Sequence, residues 1–238
     1  MGFCYLNLSL QKFLFVCLIL NIETSTKNCS VSLSKDGELL SLKEYSGEGY
    51  IHGENLHLFI EEVMRKAAYS SNDLSAVAVS KGPGSYTGLR IGVSAAKGLC
   101  FSLDIPLISI ATLKVLAMAY EVEQSAFIVP MIDARRMEVY SAIFDSNYSQ
   151  IRETKAEIID KNSFAEILEE SKIYFLGDAV EKCKNIITHT NAIFLEGYLP
   201  SAKEMVMLSY EKYKKNDIED VAYFEPFYLK DFFTANKN

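Results

Sequence analysis

Positive charge is scarce in this sequence. Its 24 lysine and arginine residues are outnumbered by 31 aspartate and glutamate residues, which gives a formal net charge of −7 and an isoelectric point near 5.1. A protein that binds nucleic acid tightly by itself usually carries a basic face. The composition therefore argues against tight, direct binding of RNA or DNA, and it suggests that a partner holds any RNA involved.

Paired cysteines are also lacking. The five cysteines are odd in number, scattered and never spaced as Cys-x-x-Cys. This spacing argues against a disulfide framework and a zinc site, and it favours reduced thiols in a cytoplasmic protein. The length of 238 residues and the hydrophobic content of 49% are those of a globular protein with one large domain or two small ones.

A signal peptide is suggested superficially by the amino terminus, where Lys12 precedes the apolar run 13–22. The run has one clear positive residue before it, no small-x-small cleavage site after it, and too few residues to span a bilayer. We therefore predict no membrane association. Residues 1–17 are interpreted as an appended leader outside the fold, and residues 18–22 as a buried first strand.

Hydrophobic periodicity predicts alternating strands and helices. In the first half, the predicted strands are 18–23, 28–34, 38–45, 74–79 and 105–110, and the predicted helices are 54–69, 87–103 and 111–121. Asp36-Gly37 is a strong hairpin signal between the second and third strands. Cys29, Val31 and Leu33 alternate with serines, which is typical of a half-buried strand.

The second half repeats the start of the first. A strand at 127–133 ends in Asp133, as the first strand ends in Glu23, and an alternating strand at 137–144 follows. The repeat predicts an α/β fold of two ribonuclease-H-like lobes, 18–122 and 123–238, of the actin, sugar-kinase and Hsp70 type. In that group such acids face a cleft and hold Mg²⁺-ATP. Acids at strand ends are also commonly solvated caps.

A glycine-rich loop at 80–92 lies between a predicted strand and a predicted helix. That order aims free backbone N–H groups at the loop, so it could cradle a phosphate. The candidate nucleotide-proximal residues are Gly82, Gly84, Ser85, Thr87 and Gly88. The loop matches neither the P-loop nor the G-x-G-x-x-G pattern. From the residues alone, a tight structural turn is favoured over a ligand site.

Four segments of the chain resemble the TsaB (formerly YeaZ) family, the dimerisation subunit of the bacterial machinery for tRNA threonylcarbamoyladenosine. They are Ile19-Leu20-Asn21-Ile22-Glu23-Thr24-Ser25-Thr26, the loop and helix start from Gly82 to Gly92, Asp133-Ala134-Arg135-Arg136-Met137-Glu138-Val139-Tyr140, and Pro226-Phe227-Tyr228-Leu229-Lys230. They occur in the family's order, and the resemblance covers the chain from Leu18 to its end.

The resemblance implies a partner subunit. Proteins of this family pair with the catalytic subunit TsaD through two helices of the first lobe, and the pair engages the ATPase TsaE. The complex transfers threonylcarbamoyl to the adenosine immediately 3′ of the tRNA anticodon. The implied interface helices are 54–69 and 87–103, and the candidate contact residues are Leu56, Phe59, Ile60, Val63, Met64 and Arg90. A helix buried under its own sheet would explain the same apolar positions.

The resemblance also argues against catalysis by this chain. The His-x-x-x-His pair that binds the metal in TsaD falls at Thr112 and Leu116, and neither residue is a useful ligand. His52, His57 and His189 are interpreted as surface or interface side chains. We therefore predict no catalytic residues, no metal and no cofactor.

Two alternatives stay open at this point. One is a peptidase-like or phosphotransferase enzyme. The missing histidine pair and nucleophile motif argue against the first, and Glu23 in place of the usual aspartate argues against the second. The other alternative is a self-associating regulatory homodimer, because the same two helices could pair with a second copy of the chain.

Overall fold

Two five-stranded sheets, one from each half of the chain, organise the protein. The computed structural model describes residues 16–47 and 52–230. The strands of the first sheet are β1 (Leu18–Glu23), β2 (Cys29–Lys35), β3 (Glu38–Tyr45), β4 (Ala76–Gly82) and β5 (Leu107–Ala111). The helices of this half are α1 (His52–Lys66), α2 (Tyr86–Leu103) and α3 (Thr112–Ala117). The predicted helix 111–121 thus ends four residues early.

The second sheet repeats the first. Its strands are β6 (Phe127–Asp133), β7 (Glu138–Phe144), β8 (Gln150–Ile158), β9 (Ile173–Leu176) and β10 (Ala192–Leu195), and the remaining helices are α4 (Ala165–Glu170), α5 (Val180–Cys183) and α6 (Met205–Lys214). The strand orders β3-β2-β1-β4-β5 and β8-β7-β6-β9-β10 are the same. In both sheets the first three strands form an antiparallel meander and the others pair in parallel. The predicted α/β fold with two ribonuclease-H-like lobes is confirmed.

Both faces of the first sheet are covered. On one face, α1 and α2 pack against side chains such as Leu20 and Val31. On the other face, Ile19 and Ile110 pack against Met205 of α6. The predicted second lobe, 123–238, is therefore not one packing unit, because α6 returns to the first lobe. The physical reason is that α1 and α2 leave the apolar side chains of this face uncovered.

The serines of β2 are fully buried, although their alternation with apolar residues predicted a half-exposed strand. Ser32 Oγ donates a hydrogen bond to the carbonyl of Ala202 at 2.8 Å, and the backbone amide of Ala202 donates to Ser30 Oγ at 3.0 Å. Asn28 Nδ2 donates to the Pro200 carbonyl at 2.9 Å. The segment before α6 thus satisfies these polar groups and joins the late part of the chain to the first sheet.

The structure shortens the predicted leader. Cys17 is only 6% exposed, and its amide donates to Asp36 Oδ1 at 3.0 Å. The carbonyl of Val16 accepts a hydrogen bond from Ser75 Oγ at 3.2 Å. Both residues therefore belong to the fold, and the remainder of the predicted leader, residues 1–15, lies outside the described residues. Within residues 16–47 and 52–230, no helix is both long and apolar enough to cross a bilayer.

Helix α3 joins the two lobes through its apolar side chains. Leu116 is fully buried and packs with Ile128, Phe144 and Leu176 of the second sheet. We expect Leu116→Ala to lower the free energy of unfolding by about 2–5 kcal/mol, because it removes buried methyl groups and leaves a cavity. The exposed Leu58 is a control, and Leu58→Ala should change stability by less than about 0.5 kcal/mol. Urea titration followed by circular dichroism measures both, and equal effects would contradict the assignment.

Candidate functional site

The glycine-rich loop between β4 and α2 uses its backbone donors within the chain. The amide of Gly82 donates to Thr112 Oγ1 at 3.1 Å, and the amide of Ser85 donates to the Ser25 carbonyl at 2.6 Å. Ser85 is the N-cap of α2, and its Oγ accepts from the amide of Gly88 at 3.2 Å. Three donors that could have held a phosphate therefore have protein partners.

The glycines allow α2 to lie directly on the turn between β1 and β2. A Cβ atom at Gly84 would be 2.4 Å from the Ser25 carbonyl oxygen, and one at Gly88 would be 2.1 Å from the Thr24 carbonyl oxygen. One at Gly92 would be 2.2 Å from Thr24 Oγ1. These glycines serve close packing of the chain on itself, as the structural interpretation expected. A nucleotide-proximal role for the loop stays a prediction, and the exposed Thr87 is the candidate side chain best placed for it.

Two glycines of the same helix provide a matched test of this packing. Gly88→Ala should lower the free energy of unfolding by more than about 1 kcal/mol, because the new methyl group collides with the Thr24 backbone. Gly98→Ala should raise it by about 0.4–1 kcal/mol, because no atom of another described residue lies within 4 Å of that Cβ position and alanine favours the helix. Urea titration measures both. Destabilisation of the same size in both variants would contradict the packing argument.

The two acids predicted to face a cleft differ in environment. Glu23 is fully buried, and its Oε1 accepts hydrogen bonds from the amide and hydroxyl of Ser25 at 2.6 and 2.5 Å. Asp133 is exposed, pairs with Lys182 and accepts from the Arg135 amide at 2.8 Å. Glu23 is therefore a structural group of the β1–β2 turn and not a solvated cap. Asp133 is a surface carboxylate whose partners are the Lys182 ammonium and the Arg135 amide.

Burial dominates the electrostatics of Glu23. Removal from water raises the pKa of its carboxyl group from 4.5 to about 7, although the hydrogen bonds from Ser25 oppose this shift. A group with this environment would be unusually sensitive to pH near neutrality. Because Glu23 lies between β1 and the glycine loop, its protonation affects the stability of the first lobe.

Glu23→Gln should remove a pH-dependent loss of stability. In the unfolded chain Glu23 ionises near pH 4.5, whereas the folded protein holds its proton to about pH 7. Between these values the folded state binds more protons, so wild-type stability falls as pH rises and stays lowered above pH 7. The stability of Glu23→Gln relative to wild type, measured by urea titration, should therefore rise from pH 4.5 to 7 and then level off. A difference independent of pH would contradict the assignment.

Packing groups occupy the two positions at which the family resemblance places the metal ligands of TsaD. Thr112 is buried and accepts the hydrogen bond from the Gly82 amide, and Leu116 lies in the core between the lobes. Within the described residues, no group of three histidine, cysteine, aspartate or glutamate side chains is arranged to hold a metal ion.

His52 is buried within its own chain, which corrects its interpretation as a surface or interface side chain. Its Nε2 lies 2.8 Å from the Thr26 carbonyl oxygen, and burial lowers the pKa of the ring. His52 therefore ties the start of α1 to the β1–β2 turn. His57 is exposed, in agreement with the prediction.

Four of the predicted contact residues on α1 face inward. Leu56, Phe59, Val63 and Met64 are buried in the core between α1 and the first sheet, so they stabilise the lobe itself. This corrects the expectation that they form an exposed contact surface. Of the five predicted residues on this helix, Ile60 alone is partly exposed. The alternative of a helix packed on its own sheet accounts for the other four.

An open face lies instead along the groove between α1 and α2. The groove has a volume of about 610 Å³, and its described lining is half small and half larger residues, namely Gly53, His57, Arg90, Ile91, Ser94, Ala95, Gly98 and Leu99. Arg90, predicted as a contact, is therefore on this face. Phe101 is 85% exposed and lies three residues after Gly98, on the same side of α2. The small residues Ser94, Ala95 and Gly98 were not among the predicted contact residues, although their spacing along a predicted helix was a readable signal.

The fold and this site agree with comparisons to known proteins. A family model described as TsaD, tRNA N6-adenosine threonylcarbamoyltransferase, matches residues 50–234. The chain belongs to this family. The chain is 28% identical over 236 residues to the tRNA threonylcarbamoyladenosine biosynthesis protein TsaB of Haemophilus influenzae, covering 92% of this chain and 96% of the relative. It is 28% identical to TsaB of Escherichia coli, covering 89% and 94%. Within the family, the chain therefore lies on the TsaB (YeaZ) branch.

Solved structures show the same fold. A Pseudomonas aeruginosa protein described as similar to the peptidase YeaZ superposes with a TM-score of 0.80 at 22% identity, covering 90% of this chain and all of that one. YeaZ from the same organism gives a TM-score of 0.77 at 22% identity with the same coverage. Both comparisons concern the fold, which is the two-lobed α/β architecture described above.

Proposed function

We propose that this chain is a non-catalytic subunit of the machinery that makes threonylcarbamoyladenosine in tRNA. It acts by pairing with a TsaD-type catalytic subunit, and the pair engages a TsaE-type ATPase. Support comes from relatives named for this pathway that match nearly the whole chain. The side chains at positions 112 and 116 fit this role, since threonine and leucine there serve packing.

The open α1–α2 face is the observation that carries the pairing. Among the described residues, a Cβ at Gly98 would meet no atom within 4 Å, and one at Gly53 would meet only the end of Ile91 at 4.0 Å. Small residues in a groove let the backbone of a partner helix approach closely, and Ile91 and Leu99 add apolar surface. A partner of the same fold family would present a related pair of helices to this face.

The charge of the chain fits an indirect role on RNA. With a net charge of −7 the chain repels a phosphate backbone, so tRNA is held by the partner subunit. The pathway acts on tRNA in the cytoplasm, and we expect the chain there. The same open face could also pair two copies of the chain, which makes a homodimer the second candidate state.

A charge on the open face should abolish pairing without unfolding the chain. Ser94→Glu places a carboxylate on an exposed position of α2, and burying it unpaired in the interface should weaken binding of a TsaD-type subunit by about a hundredfold or more. Ser94→Ala should bind as wild type does. Gln150→Glu, which adds the same charge to exposed β8, is the second control. Surface plasmon resonance measures affinity, and circular dichroism confirms folding.

Normal binding by Ser94→Glu would show that pairing uses another surface. Sedimentation of the chain alone shows whether it forms a homodimer. A homodimer that persists when a TsaD-type subunit is added would favour the second candidate.

Reconstitution tests the activity. The chain alone should make no threonylcarbamoyladenosine from threonylcarbamoyl-adenylate and tRNA. Added to TsaD- and TsaE-type subunits, it should restore synthesis, and Ser94→Glu should not. Activity of the isolated chain would overturn the non-catalytic assignment.

A further inference from the structure

The segment after α6 crosses the first lobe as a strap (residues 219–230). The amide of Glu219 donates to the Leu107 carbonyl at 2.8 Å, which adds a bridge to the edge of β5. The amide of Phe227 donates to the Lys81 carbonyl at 2.7 Å, beside the glycine-rich loop. The strap is thus fixed at both of these points to the lobe that carries the α1–α2 face.

The strap binds two cationic side chains of its own chain. Lys97 Nζ donates to the carbonyls of Ala222 at 3.1 Å and Phe224 at 2.9 Å. The Arg90 guanidinium lies 4.3 Å from the centre of the Tyr86 ring, and its Nε donates to Tyr228 Oη at 3.4 Å. Carbonyl oxygens and a tyrosine hydroxyl of the strap therefore already bind an ammonium and a guanidinium group, and the Tyr86 ring of α2 supplies the aromatic face for the guanidinium.

The strap also lines a hollow with similar chemistry but little positive charge. The hollow has a volume of about 660 Å³ and is lined by carboxylates and aromatic rings, and Lys81 is the one basic residue among the described residues that line it. The carboxylates are Glu219, Asp220 and Glu225, and the rings include Tyr223, Phe224, Phe227 and Tyr228. Tyr223 is 84% exposed and Phe227 is 43% exposed. Such large exposed rings in one patch are typical of a surface that binds another molecule.

We propose that this hollow is a docking site for a cationic segment of a partner protein, one that carries arginine or lysine side chains. Three carboxylates against one lysine attract positive charge, and exposed tyrosine and phenylalanine faces bind guanidinium and ammonium groups. The same carboxylates repel phosphate, which excludes RNA as the occupant. Arg90 lines the α1–α2 groove and also holds Tyr228. A partner on the groove can therefore extend a basic segment onto the strap.

A ten-residue peptide of alternating arginine and glycine is the probe. Its affinity for the full chain, measured by fluorescence anisotropy at low salt, should fall about two- to fivefold in Tyr223→Ala, which removes an exposed ring. Glu225→Gln should weaken binding by a similar factor. Lys81→Gln should tighten it, because it removes the one cation among the described residues that line the hollow. A peptide of alternating glutamate and glycine should not bind.

Matched controls separate a defined site from general attraction to an acidic protein. Glu153→Gln removes the same charge from exposed β8 and should leave the peptide's affinity unchanged. Equal weakening by Glu153→Gln and Glu225→Gln would overturn the proposal, as would an absence of peptide binding. Binding of a single-stranded RNA decamer, with an affinity that Lys81→Gln lowers, would also overturn the proposal. Ser94→Glu should retain peptide binding, so failure of the α1–α2 interface and failure of this site are distinguishable.

Discussion

The close packing of α2 on the β1–β2 turn is the constraint on which the rest of the first lobe depends. Backbone meets backbone at Gly84 and Gly88, at distances that leave no room for a Cβ atom. This contact sets the direction of α2. The direction of α2 in turn places the small residues of the α1–α2 groove at the surface, and it places Arg90 and Lys97 where they hold the strap.

The segments that identify the family meet largely at this same contact. The β1–β2 turn contributes Thr24 and Ser25, the loop contributes Gly84 and Gly88, and the strap contributes the carbonyl of Phe227, 2.8 Å from a Cβ at Gly82. These segments lie far apart in the chain and are brought together by packing and backbone hydrogen bonds. Together they form a structural centre of the first lobe, which fits the proposed role of a subunit that presents a binding surface to a partner.

The two lobes share a strand order but differ in the length of their helices. The first lobe carries the 15-residue α1 and the 18-residue α2, whereas α4 and α5 of the second lobe have six and four residues. Long helices provide an extended face for a partner, and short ones do not. The second half of the chain stabilises the first lobe by packing against α3 and through the return of α6, so the chain behaves as one support for the α1–α2 face.

The sequence alone determined the strands 18–23, 38–45 and 127–133 and the repeat of two lobes, because alternation and turn residues are local properties that each strand carries by itself. Its four motifs determined the family. Only the tertiary structure decided that Leu56, Phe59, Val63 and Met64 face inward, that the β2 serines are buried, and that α6 returns. Periodicity reports which side of an element is apolar but not what covers it. The cover of Ser32, for example, comes from Ala202, 170 residues away.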